Sequence, residues 1–397
     1  MEINKRKFYR QVFALVIPMA LQNLINVGVT AADVLMLGRV SEKVLSGASL
    51  AGQIQFVMTL ILFGTTSGAT VLTAQYWGKK DTQTIEKILG MGMTIGVSCA
   101  ALFTIVAEII PEVLLHIYTS DPAVIAEGVK YLRIVGLSYV LMAATQVYLY
   151  IMRSIEQVVI ATVVYSASLI CNVLVNALLI FGLFGLPKMG IMGAAIGTLV
   201  ARILELVIVV IYIIKDKKIE LFKQKLLQSD DSLRKDYMKA AMPIILAQIL
   251  WGVSVPMQTA ILGHLSDDAI AANSVATTFY QYLKVIVIAM TSASAVMMGN
   301  GVGRGNMKRI RSDARTLATI DVAVGIVLGI ILFALKNPLL SMYQLSGEAL
   351  RLADHLIVIM SFVMVGMSYQ MPVSAGIIQG GGDTKFNMVM SMISTWA

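Results

Sequence analysis

Asn23, Asn26, Thr30 and Asp33 follow one another at steps of three, four and three. On a helix those steps place all four on one face. Asn172 and Asn176 are four apart, and Thr198, Arg202 and Glu205 are spaced by four and three, so each set forms a similar stripe. All three sets sit inside long apolar runs. Amides and hydroxyls in such a setting can hydrogen-bond neighbouring helices. A carboxylate needs more, because an unpaired charge in an apolar interior is costly and must meet a cation, a proton or water. Asp33 is the only acid on its stripe, so proton or cation binding is the chemistry expected there. Arg202 and Glu205, three apart, either line a cavity or neutralise each other on the helix face. Lys284 shares a face with Thr277, Tyr280 and Thr291 and is expected to line a cavity, its depth making escape along the helix awkward. Tyr280 and Trp251 add aromatic faces that suit an organic cation or ordinary packing.

The elements that must position these residues are membrane helices. Of 397 residues, 57% are hydrophobic and 14% charged, against about 25% charged in soluble domains. The apolar residues come in runs long enough to cross a hydrocarbon core of roughly 30 Å. Hydropathy places spans near 12–37, 46–76, 88–110, 130–151, 158–184, 190–214, 238–262, 270–299, 315–335, 353–378 and from 384 onward. The Lys5-Arg6-Lys7 start resembles a signal peptide, but the run behind it is too long and lacks a small-residue cleavage site. It reads as a retained first helix. The net charge of +8 lies in short segments between the runs, which reads as topology rather than as a nucleic-acid footprint.

With the N-terminus in the cytoplasm, the inner segments hold Lys5 to Arg10, Lys79 to Lys87, Lys215 to Lys239 and Arg304 to Arg315. The outer ones hold scattered cations such as Arg39, Lys43, Lys188 and Lys336. That bias orients the chain as a multi-pass protein of the plasma membrane. The stretch 215–239 is the expected linker between a lobe at 1–214 and a second at 240–397.

The two lobes are related. A shift of 225 positions brings Pro18 onto Pro243, Leu37-Gly38 onto Leu262-Gly263, Ser49 onto Ser274, Thr66-Ser67 onto Thr291-Ser292 and Gly78 onto Gly303. Apolar bias alone would not align prolines and glycines, so an internal repeat of six spans is expected, as in many transporters. Six is even, so the repeat is parallel. The second copy stops about half a helix into the eleventh span, which predicts that the sequence is part of a longer chain.

Enzyme chemistry has little support. His116, His264 and His355 have no partner spacing, and Cys99 and Cys171 form no metal or disulfide pattern. Gly301-Val-Gly-Arg-Gly follows an apolar run rather than a strand, and there is no Walker motif. No cofactor or resident metal is expected.

The chain resembles the multidrug and toxic compound extrusion (MATE) transporters. The resemblance is carried by Pro18 with Val29-Thr-Ala-Ala-Asp33-Val-Leu-Met-Leu-Gly38, by Thr73-Ala-Gln-Tyr-Trp-Gly78 and by Cys171-Asn-Val-Leu-Val-Asn176. Gly193-Ala-Ala-Ile-Gly-Thr198, Gly301-Val-Gly-Arg-Gly-Asn306 and Gly380-Gly-Gly-Asp383 continue it over the whole chain. The resemblance implies an all-α membrane fold of two six-helix bundles around a central cavity. It implies a proton- or sodium-coupled antiporter, working as a monomer in the bilayer, that exports organic and often cationic molecules by alternating access. Asp33, Asn172, Asn176 and Thr198, with Asn26, take the places of the family's coupling site in the first lobe. Some relatives carry a second aspartate where Asn176 stands, which leaves proton against sodium open. Gln258 and Trp251 are the repeat partners of Asp33 and Asn26, so a single ion site in the first lobe is expected. Pro18, which removes a backbone hydrogen bond, is the expected bending point of the first span. A related flippase of lipid-linked oligosaccharides is the alternative, which Lys284 and Arg202 keep open through their charge. An intramembrane enzyme or a channel is a further alternative.

Overall fold

A computed structural model describes residues 5–215, 230–263, 267–343 and 346–396. Among them every regular element is helical. The order is α1 (Lys5–Gly38), α2 (Glu42–Gly78), α3 (Thr82–Ile109), α4 (Pro111–His116), α5 (Pro122–Gly136), α6 (Ser138–Ser154), α7 (Val159–Phe181) and α8 (Ile191–Lys215). Then come α9 (Asp231–Gly263), α10 (Asp267–Gly303), α11 (Met307–Leu340) and α12 (Gly347–Met371). A π-helical segment, Pro372–Ile378, follows α12, and α13 spans Thr384–Trp396. Nine of these helices are long and apolar enough to cross a membrane, or ten with one bent pair counted as a span. The all-α membrane class expected from hydropathy is borne out. Most of the linker stretch, residues 216–229, lies outside the described residues, as does His264.

Local chemistry sets many helix starts. Asp81, Asp121, Asn306 and Ser346 each accept a backbone N–H of the first turn, at α3, α5, α11 and α12. Such caps satisfy donors that have no partner within the helix. α7 ends at Gly182, whose φ of +69° suits a residue without a Cβ.

The span expected at 130–151 is two helices, α5 and α6, bent by 47° at Leu137. Two hydroxyls take up carbonyls at the bend. Ser138 donates to the Val135 carbonyl at 2.6 Å, and Thr104 of α3 donates to the Gly136 carbonyl at 2.8 Å. A break in a membrane helix is tolerated where side chains re-satisfy the freed backbone groups.

The chain forms two compact units. One comprises the described residues of Met1–Ala20, Ala74–Lys80 and Leu246–Ala397; the other comprises those of Leu21–Thr73 and Asp81–Ile245. The second unit is built on a core of Ile54, Met58, Leu62, Leu132, Tyr139 and Met142, all nearly inaccessible. Tyr237 is buried in this unit and donates to the Thr65 carbonyl at 3.0 Å. In the first unit, Val287, Leu328 and Met364 join α10, α11 and α12.

Close helix contacts use glycines four apart. Gly193 and Gly197 of α8 face α7, and Gly325 and Gly329 of α11 face α12. With little hydrophobic force between helices in lipid, this small-residue spacing lets backbones approach and gain dispersion.

Candidate functional site

Asp33 lies on α1, five residues before its end at Gly38. Asn176 Nδ2 on α7 donates to Asp33 Oδ1 at 2.6 Å and lies 3.2 Å from Asn172 Oδ1. The i, i+4 spacing read from the sequence therefore places Asn176 at the carboxylate and Asn172 behind it, one turn back on α7. Asn172 and Asn176 are buried, while Asp33 is partly accessible. The site can be built because α7 and α8 touch. A Cβ on Gly197 would run into the Asn176 amide oxygen. Thr198, next along α8, has a buried hydroxyl. The Tyr131 side chain of α5 lies near Thr198, Asp33 and Arg202.

Arg202 sits one turn beyond Thr198. Its Nη1 lies 2.7 and 2.9 Å from the two oxygens of Glu205, whose side chain is 2% exposed. The pair is the mutual neutralisation that the spacing allows, and Glu205 faces the interior rather than open space. Arg202 also acts on Asp33 through space. Among the described residues its ion pair is with Glu205, and Asp33 makes none. The carboxylate is thus held by a neutral amide while the nearby cation is matched by another acid.

Asn26 is not brought into this cluster. It is exposed, and its backbone carbonyl accepts from Thr30 at 3.3 Å. Pro18 lies within a continuous α1. Trp251 of α9, 41% exposed, and Tyr280 and Lys284 of α10 belong to the other compact unit. Tyr280 packs beside Leu283 against the Val287, Leu328 and Met364 cluster. Lys284 is partly buried.

Sequence reasoning missed three groups. Tyr131 lies between Lys130 and Arg133, charges that made its segment look like a span end. Arg153, buried at the end of α6, donates to Gln22 Oε1 at 2.7 Å and stacks 4.6 Å from the Tyr150 ring centre. Gln22 in turn donates to the Val158 carbonyl and to Thr162 Oγ1, both at 2.9 Å. The third is Asp321 in α11, 1% exposed. It is a lone acid in the run Thr319-Ile-Asp-Val-Ala-Val324, and it was visible to the same depth argument that singled out Asp33.

The chain is similar to known proteins along nearly its whole length. It is 21% identical over 388 residues to a probable multidrug resistance protein NorM of Thermotoga maritima, covering 98% of this chain and 83% of the relative. It is 25% identical over 398 residues to a protein of the same name in Agrobacterium fabrum, covering 98% and 84%. Among solved structures, the MATE transporter VcmN of Vibrio cholerae superposes with a TM-score of 0.91 at 19% identity, over 98% of this chain and 88% of that one. A MOP superfamily transporter from Pyrococcus furiosus gives 0.86 at 15% identity, over 97% and 85%. These likenesses identify the fold as that of the MATE transporters. The MatE family model matches residues 18–178 and 243–397, one stretch in each repeat. The chain therefore belongs to the MatE family, whose members are multidrug efflux transporters and not enzymes.

Proposed function

We propose that this protein is a cation-coupled antiporter that exports organic, often cationic, molecules from the cell by alternating access. One observation supports this most. The Asp33 carboxylate is held by the Asn176 amide, while Glu205 matches the charge of the nearby Arg202. A carboxylate locked to arginine could not easily trade partners. Asp33 keeps a neutral donor and is left to take up and release a proton or Na⁺. Asn172 and Asn176 offer carbonyl oxygens to either ion, with Thr198 beside them.

Substrate and ion then drive each other because each stabilises a different state of the transporter, and the coupling is reciprocal. Bending of α1 at Pro18, where one backbone hydrogen bond is missing, is the expected structural response to a change of charge at Asp33. The protein acts as a monomer in the plasma membrane, with its N-terminus in the cytoplasm and lobes at 1–214 and 240–397. In this reading Lys284 faces the transport pathway, where a fixed positive charge would repel cations unless it is paired. The flippase alternative loses support at Arg202, whose charge is already matched by Glu205.

The test is efflux of a cationic dye from proteoliposomes under an imposed proton gradient or an imposed sodium gradient. Efflux driven by one of them, and absent without either, is the expected result. Equal dye movement with and without gradients would point to a channel and end the antiport reading.

A further inference from the structure

Asp321 is the most deeply buried acid in the described part of residues 246–397. Its accessibility is 1%, and neither carboxylate oxygen has a hydrogen-bond partner among the described residues. It lies six residues past Arg315, inside the span that hydropathy places at 315–335, or about 9 Å into it along a helix rising 1.5 Å per residue.

The packing of α11 on α12 shows what stands beside it. A Cβ on Gly325 would lie 2.7 Å from Ser368 Cβ and 3.1 Å from its Oγ, and one on Gly329 would press on the Ser361 carbonyl. The helices therefore run antiparallel, with 325 level with 368 and 329 level with 361. One turn towards the start of α11, Asp321 is level with the end of α12, where Pro372 opens the π-helical segment. Pro372 has no N–H, so the Ser368 carbonyl loses its α-helical donor. The Ser368 hydroxyl is also buried, without a partner among the described residues. Breaks of this kind in a helical ladder often mark functional positions.

The charged groups around Asp321 leave it alone. α10, α12 and the π-helical segment pack against α11. On α10, Tyr280 packs against the cluster of Val287, Leu328 and Met364, with Leu328 two turns along α11 from Asp321, Lys284 lies one turn along from Tyr280, and Tyr282 is exposed. On α12, Asp354 pairs with Lys336 at 2.7 Å near the far end of α11, Arg351 pairs with Glu348, His355 adjoins Asp354 in sequence, and Tyr369 is exposed. The π-helical segment has no ionisable residue. On α11 itself, Asp313 faces Arg309 at 3.6 Å, and Arg315 is exposed.

We propose that Asp321, flanked by Ser368 at the π-helical break, is a second proton-binding site, separate from Asp33. A buried carboxylate without a cation must be met by a proton or a metal ion. Na⁺ would need a fuller shell of oxygens than the carboxylate of Asp321, the Ser368 hydroxyl and one backbone carbonyl supply. A proton needs a single acceptor, and the acid it forms can donate to the Ser368 carbonyl. This deepens the antiport reading by adding a second proton to the cycle.

The test reads the carboxyl without reading transport. The O–H of a protonated carboxyl in an apolar site adds across a C=N bond of dicyclohexylcarbodiimide, and an oxygen-to-nitrogen acyl shift then leaves a stable N-acylurea, with no group lost. The full chain in liposomes is treated in acidic and in alkaline buffer, and the adduct is located by peptide mass. The expected result is an adduct on the Asp321 peptide in acid, lost in alkali and absent from Asp321→Asn. Mapping the unsubstituted protein decides the matter even if that variant fails to fold. No adduct in acid, or equal labelling in both buffers, overturns the proposal, the latter because it marks a permanently protonated structural acid. Gradient-driven efflux that needs Asp33, with no adduct at Asp321, would sink this site and leave the antiport reading standing.

Discussion

Gly197 of α8 lies so close to Asn176 of α7 that a Cβ on the glycine would take the place of the amide oxygen. The same amide holds Asp33 through its nitrogen, at 2.6 Å. Helix packing and the candidate ion site are thus one structure, and a change made for one reason is felt in the other.

Gly197→Ala should therefore act on coupling at a distance from the carboxylate. The methyl group must push Asn176 aside or part the helices, at about 1–3 kcal/mol for an overpacked core. The expected outcome is a lower melting temperature in detergent and a loss of gradient-driven efflux at least as large as that of Asn176→Ala. Wild-type efflux in Gly197→Ala would show that the Asn176 contact has no part in coupling.

Arg202 and Glu205 make a second prediction, in which the order of removal matters. Glu205→Gln leaves the guanidinium, whose side chain is 20% exposed, without its acid, at a cost below the about 3–5 kcal/mol typical of a fully buried pair. The freed cation is then drawn to Asp33 and occupies the carboxylate. Efflux should collapse with Asp33 intact. The double variant Arg202→Met, Glu205→Leu removes both charges and should recover much of the stability and efflux, because apolar replacement of a whole buried pair is often neutral. A double variant worse than Glu205→Gln would mean that Arg202 has a role of its own.

Most of the span plan was legible because hydrocarbon thickness sets a length that hydropathy detects. Asp33, Asn172 and Asn176 were legible for the same kind of reason: polar spacing of three and four survives folding unchanged. What sequence could not give was which partner each group takes. Arg202 had two readings, and the 2.7 Å contact to Glu205 chose between them. The bend at Leu137 was hidden because Ser138 and Thr104 satisfy it from side chains, leaving the hydropathy profile smooth. Asp321 was readable and passed over because the repeat argument looked for acids at positions matching Asp33, whereas this acid stands on a different helix.

Orientation can be checked at described positions. The charge bias puts Phe184, 94% exposed after α7, outside the cell and Lys308, at the start of α11, inside. In a background with Cys99 and Cys171 replaced by alanine, an impermeant maleimide added to intact cells should label Phe184→Cys and miss Lys308→Cys. The reverse pattern would invert the topology and every assignment of direction that depends on it.

Asp33 carries the final prediction. Asp33→Asn keeps the size of the side chain, and its carbonyl oxygen can still accept from Asn176, so the α1–α7 contact should survive. Only the exchangeable charge is lost. The variant should insert and melt within a few degrees of the wild type, since a single such change in a membrane core of this size leaves packing intact. It should still bind dye, yet lose efflux under both proton and sodium gradients, because binding without a change of ion occupancy cannot bias the two states. Gln258→Leu, at the repeat-related position of α9, should cost much less, since no titratable group is removed there. Wild-type efflux by Asp33→Asn under either gradient would place the coupling group elsewhere, with Glu205 the next residue to replace.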